Sequence, residues 1–276
     1  MTTGDAATLA DVLAKRRDVL AAVCDGPLDK RTLVDRLDVP RTTLDRGVRE
    51  LVDAGLADTV DGGVVATAVG RTVLDEHDGY RRRLAGIAAA EPLFESLPED
   101  TPLDGRFLAG ATVATPEPTV PDGVIERLFE SVASARRVRG VAPVALSGHV
   151  DTFDAEATAG DAPPELVVSP DVLDHLIETR YDRVLELVEA EAMEYYYGPT
   201  SVCFGVWVAE HDDRADEAGL VVYTDTGVGG VAVNDTHEAV AWANECIDET
   251  RATATKLTAE EVRERRGLPN ATPDIE

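Results

Sequence analysis

Lysine is nearly absent from this chain: Lys15, Lys30 and Lys256 are the only three among 26 basic residues, so arginine supplies almost all the positive charge. Cysteine is as scarce. Cys24, Cys203 and Cys246 are too few and too scattered for a disulfide framework or a metal cluster, and no metal or other cofactor is expected. Aromatic residues make up 5% of the chain, and no apolar run reaches membrane-spanning length. An N-terminal apolar leader is missing too, which makes a cytoplasmic protein without membrane contacts the expectation.

Acid is what the chain has in excess, with 53 acidic residues and a net charge of −27. An acidic, lysine-poor surface suits a halophilic protein dissolved in molar salt. Carboxylates hold water and cations there, where lysine stems would expose apolar surface. The acid is dispersed among apolar runs, which argues against a disordered tail. It is also unevenly placed. Residues 1–90 hold 15 acidic and 13 basic side chains, and the remainder holds 38 against 13. The 276 residues are enough for two domains, each burying its own core, and the first is basic relative to the second.

That first segment has the pattern of a winged helix-turn-helix over residues 5–75. Leu9, Val12, Leu13, Val19, Leu20 and Val23 recur on one face of a first helix, with Cys24 on its apolar side. Gly26-Pro27 ends it, and Asp29 can cap a second helix carrying Leu33, Val34 and Leu37. After Val39-Pro40 a third helix runs from about Arg41 to Ala54, with Leu44, Val48, Leu51 and Val52 facing the core. At about 100° per residue, Thr42, Arg46 and Arg49 point the other way. Leu56–Thr67 reads as a hairpin turning at Asp61-Gly62. This order presents an arginine-bearing helix to a major groove, with a β-wing beside it. Arg41, Thr42, Thr43, Arg46 and Arg49 are the expected DNA-binding residues, and double-stranded DNA the expected partner.

A connecting helix and linker are expected over 76–104, comprising the end of a long helix from Val69 to about Ala90 and a Pro- and Asp-rich link from Leu97 to Gly105. Arg81-Arg82-Arg83 clusters on the helix, which could pair two copies as a homodimer, lie over DNA backbone, or simply connect. Residues 105–257 then alternate strand-like and helical runs. The strand-like runs are Phe107–Ala114, Val138–Leu146, Leu166–Ser169, Met193–Tyr197, Cys203–Ala209, Leu220–Tyr223 and Val228–Val233. Helices are expected around Val124–Ala135, Pro170–Glu178, Asp182–Glu191 and Thr236–Thr255. The expected fold class is therefore α+β or α/β, with an N-terminal winged helix-turn-helix and a C-terminal α/β domain around a mixed central sheet. Residues 258–276 read as a flexible tail.

Val39-Pro40-Arg41-Thr42-Thr43-Leu44, followed by Arg49-Glu50-Leu51 and Gly55-Leu56, resembles the winged-helix regulators abundant in haloarchaea. The second half carries Arg137-Val138-Arg139-Gly140-Val141-Ala142-Pro143 and Glu165-Leu166-Val167-Val168-Ser169-Pro170-Asp171-Val172-Leu173. It closes with Asn234-Asp235-Thr236-His237-Glu238-Ala239-Val240-Ala241-Trp242-Ala243. These resemble the effector domain of the methanogenesis regulatory protein family, known from filament regulators of methanogens. The resemblance spans roughly residues 5 to 257, on motifs that are structural in character. It implies an archaeal transcriptional regulator whose effector domain is related to half of a phospholipase D-like fold. It supplies no effector identity and no ligand residues.

No catalytic residue is expected. Phospholipase D-type chemistry needs His-x-Lys, but the residues two after each histidine are Gly79, Asp151, Ile177, Asp213 and Ala239. A Gly-rich loop ending in Lys-Ser or Lys-Thr is missing, and Gly227-Val228-Gly229-Gly230 reads as a hairpin turn. Ser147-Gly148-His149 and Asp151 read as a polar loop, since triad members generally converge from distant segments. Ligands of open α/β sheets sit outside the carboxyl ends of strands, which marks Ser147, His149 and Ser169 as ligand-binding candidates. Ser169 is equally a plain helix N-cap. Tyr195 and Tyr197 share one strand face, opposite Tyr196, as core packing with wet hydroxyls. Asn234-Asp235-Thr236 and Asn270-Ala271-Thr272 fit a glycosylation sequon by chance. The function expected is a DNA-binding transcription regulator whose C-terminal domain senses a small-molecule effector or a partner. The alternative is a winged-helix adaptor that docks on protein without sequence-specific DNA binding.

Overall fold

The computed structural model describes residues 5–101, 103–117, 121–133, 135–145, 154–155, 160, 162–225 and 227–266. The chain divides into two compact units, Met1–Arg82 and Arg83–Glu276, which meet within one long helix. Within the segment 76–104, Ala90 and Leu93 are fully buried in the core of the second unit, and Leu97 and Leu103 pack against it. Among the described residues, no helix is long and apolar enough to cross a membrane.

The first unit consists of helices α1 (Ala6–Ala22), α2 (Lys30–Leu37) and α3 (Arg41–Asp53), a hairpin of β1 (Ala57–Val60) and β2 (Gly63–Ala66), and the start of α4 (Ala68–Ala89). Asp5 caps α1 through Thr8 N, and Asp29 caps α2 by accepting from the backbones of Arg31 and Thr32. Leu13, Leu20, Leu33, Leu44, Val48 and Leu51 form its core together with Leu56 and Val64. Between α2 and α3 the chain turns through Asp38 in the left-handed region (φ 50, ψ 45), a conformation Asp tolerates better than most residues. The hairpin pairs Val60 with Gly63 across Asp61-Gly62. A third short segment joins it, since Leu28 and Val64 exchange backbone bonds of 3.0 and 2.9 Å. A Cβ on Gly63 would stand 2.1 Å from the Leu28 carbonyl oxygen, so this approach requires glycine. Arg17 of α1 grips Asp78 of α4 bidentately at 2.7 and 2.6 Å.

The second unit is a mixed α+β fold around one large mixed sheet. Its strands are β3 (Thr112–Ala114), β4 (Arg137–Ala142), β5 (Glu165–Val168), β6 (Glu194–Tyr197), β7 (Gly205–Glu210), β8 (Glu217–Thr224), β9 (Gly227–Asn234) and β10 (Thr255–Lys256). The order is β10-β6-β5-β4-β7-β8-β9-β3, with β4, β5 and β6 parallel and the other pairs antiparallel. Its helices are α5 (Glu91–Phe94), α6 (Gly105–Leu108), α7 (Glu126–Val132), α8 (Pro170–Glu189), α9 (His237–Ala252) and α10 (Ala259–Arg265). The strand period of two sends alternate residues into two cores. Val138, Val168, Tyr195, Trp207 and Val221 face one core with α7 and α8, while Val141, Val167, Tyr196, Val206 and Leu220 face the other with α9.

Five sequence expectations are corrected here. Phe107–Ala114 is not one strand: Asp104 caps the short helix α6 through Arg106 N, and only Thr112–Ala114 pair with β9. Pro170–Glu178 and Asp182–Glu191 are one helix, kinked where Arg180 leaves helical geometry (φ −140, ψ 31). The helix around Thr236–Thr255 stops at Ala252, and Thr255 pairs with Tyr197. Ala259–Arg265 of the expected flexible tail form α10, held by a capping box between Thr258 and Glu261 and by buried Val262. Gly227-Val228-Gly229-Gly230 is not the turn itself but the start of β9, where Gly227 pairs with Thr224 and Gly230 with Val222 of β8. Asn234 is buried with Nδ2 donating to the carbonyls of Phe107 (2.6 Å) and Ala109 (3.1 Å), so its sequon is a structural coincidence.

Candidate functional site

Two regions have the geometry to recognise something. The first is the outer face of α3. Leu44, Val48 and Leu51 are buried beneath it, and Gly47 lies so close to α1 that an added Cβ would stand 3.1 Å from Arg16 Cδ. Arg41, Thr42, Thr43, Arg46 and Arg49 are all exposed on the helix, as its periodicity requires. They are not equally available. Arg46 Nε donates to Glu50 Oε1 at 2.9 Å, and Arg41 stands 3.9 Å from Asp45, which Lys30 holds from α2. Arg49 has no ion pair among the described residues. Glu50 also accepts from Arg16 Nε at 2.7 Å, and bonds to both arginines push its carboxyl down to about 2. No signal in the sequence pattern isolates Glu50, since Arg16 lies on another helix.

The second region lies at the carboxyl ends of parallel strands β4 and β5. A cavity of about 110 Å³ opens there between the sheet and helices α7 and α8. Its floor is made by small residues at inward-facing strand positions. Gly140 pairs with Trp207, whose indole lies over Gly219, and the Tyr223 hydroxyl stands over Gly205, 2.6 Å from where a Cβ would be. Leu128, Phe129, Leu166, Val168, Val172 and Leu176 supply most of the apolar wall. Trp207 also donates from Nε1 to the buried Ser131 Oγ at 3.0 Å, which fixes the ring. Among the described residues, a single carboxylate, Asp154, reaches this lining. Burial pushes Asp154 up to about 6, against the opposing charge of Arg183, and raises the Tyr195 and Tyr223 phenols.

Of the ligand candidates read from the sequence, Ser147 and His149 lie outside the described residues. Ser169 caps α8, accepting from Val172 N at 3.2 Å while donating to the Pro143 carbonyl at 3.2 Å. Both of its neighbours in this arrangement, Val168 and Val172, line the cavity. Asp154, Tyr223 and the glycine floor were missed. Glycine at alternate positions of otherwise apolar strands was the available signal.

The Arg137-Val138-Arg139 motif proves to be a buried clamp. Glu165, 4% exposed, accepts from Arg139 Nη2 at 2.8 Å and meets Arg251 Nε at 3.1 Å and Arg137 Nη2 at 3.8 Å. Arg139 further donates to Asp248 (2.6 Å) and Asn244 (2.8 Å). Among the described residues, no group of three or more His, Cys, Asp or Glu is arranged to hold a metal.

Residues 121–253 match the family model described as the methanogenesis regulatory protein FilR1, middle domain, which includes the strands and helices around the cavity. Residues 3–90 match a second model, the HVO_A0261 N-terminal domain, which includes α3 and the hairpin. Among solved structures, the chain is similar to TrmBL2, an archaeal chromatin protein whose structure is described as showing a novel mode of DNA binding. Identity is 13%, coverage is 89% of this chain and 94% of that one, and the TM-score is 0.40. An IclR homologue from Microbacterium sp. strain HM58-2 is similar at 15% identity, 89% and 96% coverage and a TM-score of 0.23. No curated protein matches the chain.

Proposed function

We propose that this chain is a transcription regulator of a halophilic archaeon. It binds double-stranded DNA through a winged helix-turn-helix in its first unit and senses an effector through its second. The observation that carries this is the exposed face of α3, where three arginines and two threonines stand opposite the core side. The match of residues 121–253 to a regulatory protein's middle domain supports it. Pro40 starts α3 without a side-chain cap, leaving its first backbone N–H groups suited to a phosphate. A gel shift with full-length protein and its own upstream DNA, in molar KCl, tests the reading. Loss of a specific shift in Arg49→Ala supports it. No specific shift from any upstream fragment favours the adaptor reading, in which the same face docks on protein.

We also propose that it acts as a homodimer, since one winged helix reads few base pairs. Tyr80, Leu84 and Ile87 recur along α4 at spacings of four and three, as on the heptad seam of paired helices. Tyr80, Leu84 and Ile87 are 55, 46 and 41% exposed. A binding role rather than a catalytic one completes the reading, supported by the missing His-x-Lys pair. The kinship to half of a phospholipase D-like fold rests on the sequence resemblance alone.

A further inference from the structure

We propose that the cavity between the sheet and helices α7 and α8 is the effector site. Its ligand would be a small apolar molecule, about one aromatic ring in size, carrying one hydrogen-bond donor for Asp154. This deepens the sensing role proposed above and rests on it. Size comes first. An apolar protein cavity of about 150 Å³ stays dry and takes up benzene, and this one, at about 110 Å³, suits a ring or a branched chain of similar bulk. Interiors rarely leave such space unfilled. On the sheet face Gly140 and Ala142 bring no long side chain, the Tyr223 hydroxyl stands over Gly205, and Trp207 is tethered to Ser131.

Chemistry comes second. The walls are aliphatic and aromatic, so polar ligands such as sugars or phosphates would lose hydration without finding partners. Asp154 is the exception, 5% exposed and set into that lining. A carboxylate only accepts and has about four lone-pair sites, so beside the interactions Asp154 already makes it takes a further donor, either a hydroxyl or an ammonium. Phe129, Trp207 and Tyr223 line the cavity, and aromatic rings there favour the ammonium. Place is third. The cavity sits at the carboxyl ends of β4 and β5, the position that open α/β sheets use for ligands.

The test uses the full chain in molar KCl without DNA, titrated by calorimetry with benzene, phenol and benzylamine. Phenol and benzylamine should bind at least tenfold more tightly than benzene, and the tighter of the two identifies the head group. Asp154→Leu should reduce both to the level of benzene, and Ala142→Leu, which fills the floor, should abolish all three. Circular dichroism establishes that each variant is folded. Should a variant be unfolded, competition between benzene and phenol on the parent protein decides the point, since one site requires mutual displacement. Equal affinity for the three probes overturns the role of Asp154, and no binding overturns the site. Operator affinity is then measured with and without the tightest probe. Binding that leaves operator affinity unchanged supports the site but removes its regulatory role.

Discussion

Glu50 Oε1 accepts the Nε–H of Arg46 at 2.9 Å, while the other oxygen of the same carboxylate accepts from Arg16 at 2.7 Å. One acid thus ties α1 to α3 and restrains one of the arginines proposed to meet DNA. Arg49 has no such ion pair among the described residues and should be the stronger contact. Arg49→Ala should weaken operator binding about tenfold or more, since a bidentate arginine–guanine contact is worth about 1–3 kcal/mol. Glu50→Gln should lower the melting temperature yet tighten DNA binding by releasing Arg46. Anisotropy titrations alongside thermal melts check both, and unchanged affinity in Arg49→Ala shows this face to be misassigned.

The same carboxylate gives an acid-sensitive first unit. Its folded value, about 2, lies below the ordinary 4.5. Its contribution is therefore complete above about pH 4.5 and disappears as pH falls toward 2. Asp154 has the opposite sign, with a folded value raised from 3.8 to about 6. The folded state then binds the extra proton, so stability declines as pH rises from about 4 to about 6. Arg183 draws the value down, and the Tyr195 phenol beside it stays neutral throughout this range. Asp154→Asn should stabilise the protein at pH 7 by up to about 3 kcal/mol, at about 1.4 kcal/mol per unit, and should have no effect near pH 4. Urea unfolding across that range measures it.

Glu165 among three arginines is a structural clamp, and its loss should unfold rather than reprogramme the second unit. Removing one partner of a buried ion pair costs about 3–5 kcal/mol because the other charge is left uncompensated. Arg139→Ala should approach that figure in denaturant midpoints. Arg137→Ala, whose pair is longer at 3.8 Å, should cost much less.

If α4 forms the dimer seam, Leu84→Glu combined with Tyr80→Glu should give a monomer by light scattering in molar salt, with the fold retained. Operator binding should then weaken, because the two half-sites, about 34 Å or a multiple apart, are no longer read together. A parent protein that is already monomeric, free and with DNA, contradicts the dimer.

Salt should act unusually. Ordinary DNA-binders lose affinity by about 0.9 log units per phosphate contact per decade of salt. Here residues beyond 90 hold 38 acidic against 13 basic side chains and repel DNA when unscreened. At about 1 M salt the Debye length is only about 3 Å, which removes that repulsion but spares arginines touching phosphate. Operator affinity should stay level or rise with KCl up to molar concentrations. A steep monotonic loss, with circular dichroism unchanged, contradicts it.

Periodicity and punctuation were enough to read α1 to α3 and the hairpin, because local spacing decides which face of Arg41–Asp53 carries apolar side chains and which carries arginine. The mixed sheet was legible for the same reason, since alternating apolar runs must bury two faces. Strand order was not, because pairing β4 with both β5 and β7 joins residues far apart in the chain. Nor could the sequence say that Phe107 lies in a helix, since a short apolar run suits either period and only the Asp104 cap and the packing choose. The cavity belongs wholly to tertiary structure. Gly140, Gly205 and Asp154 come from separate segments, and only the folded sheet brings them into one lining.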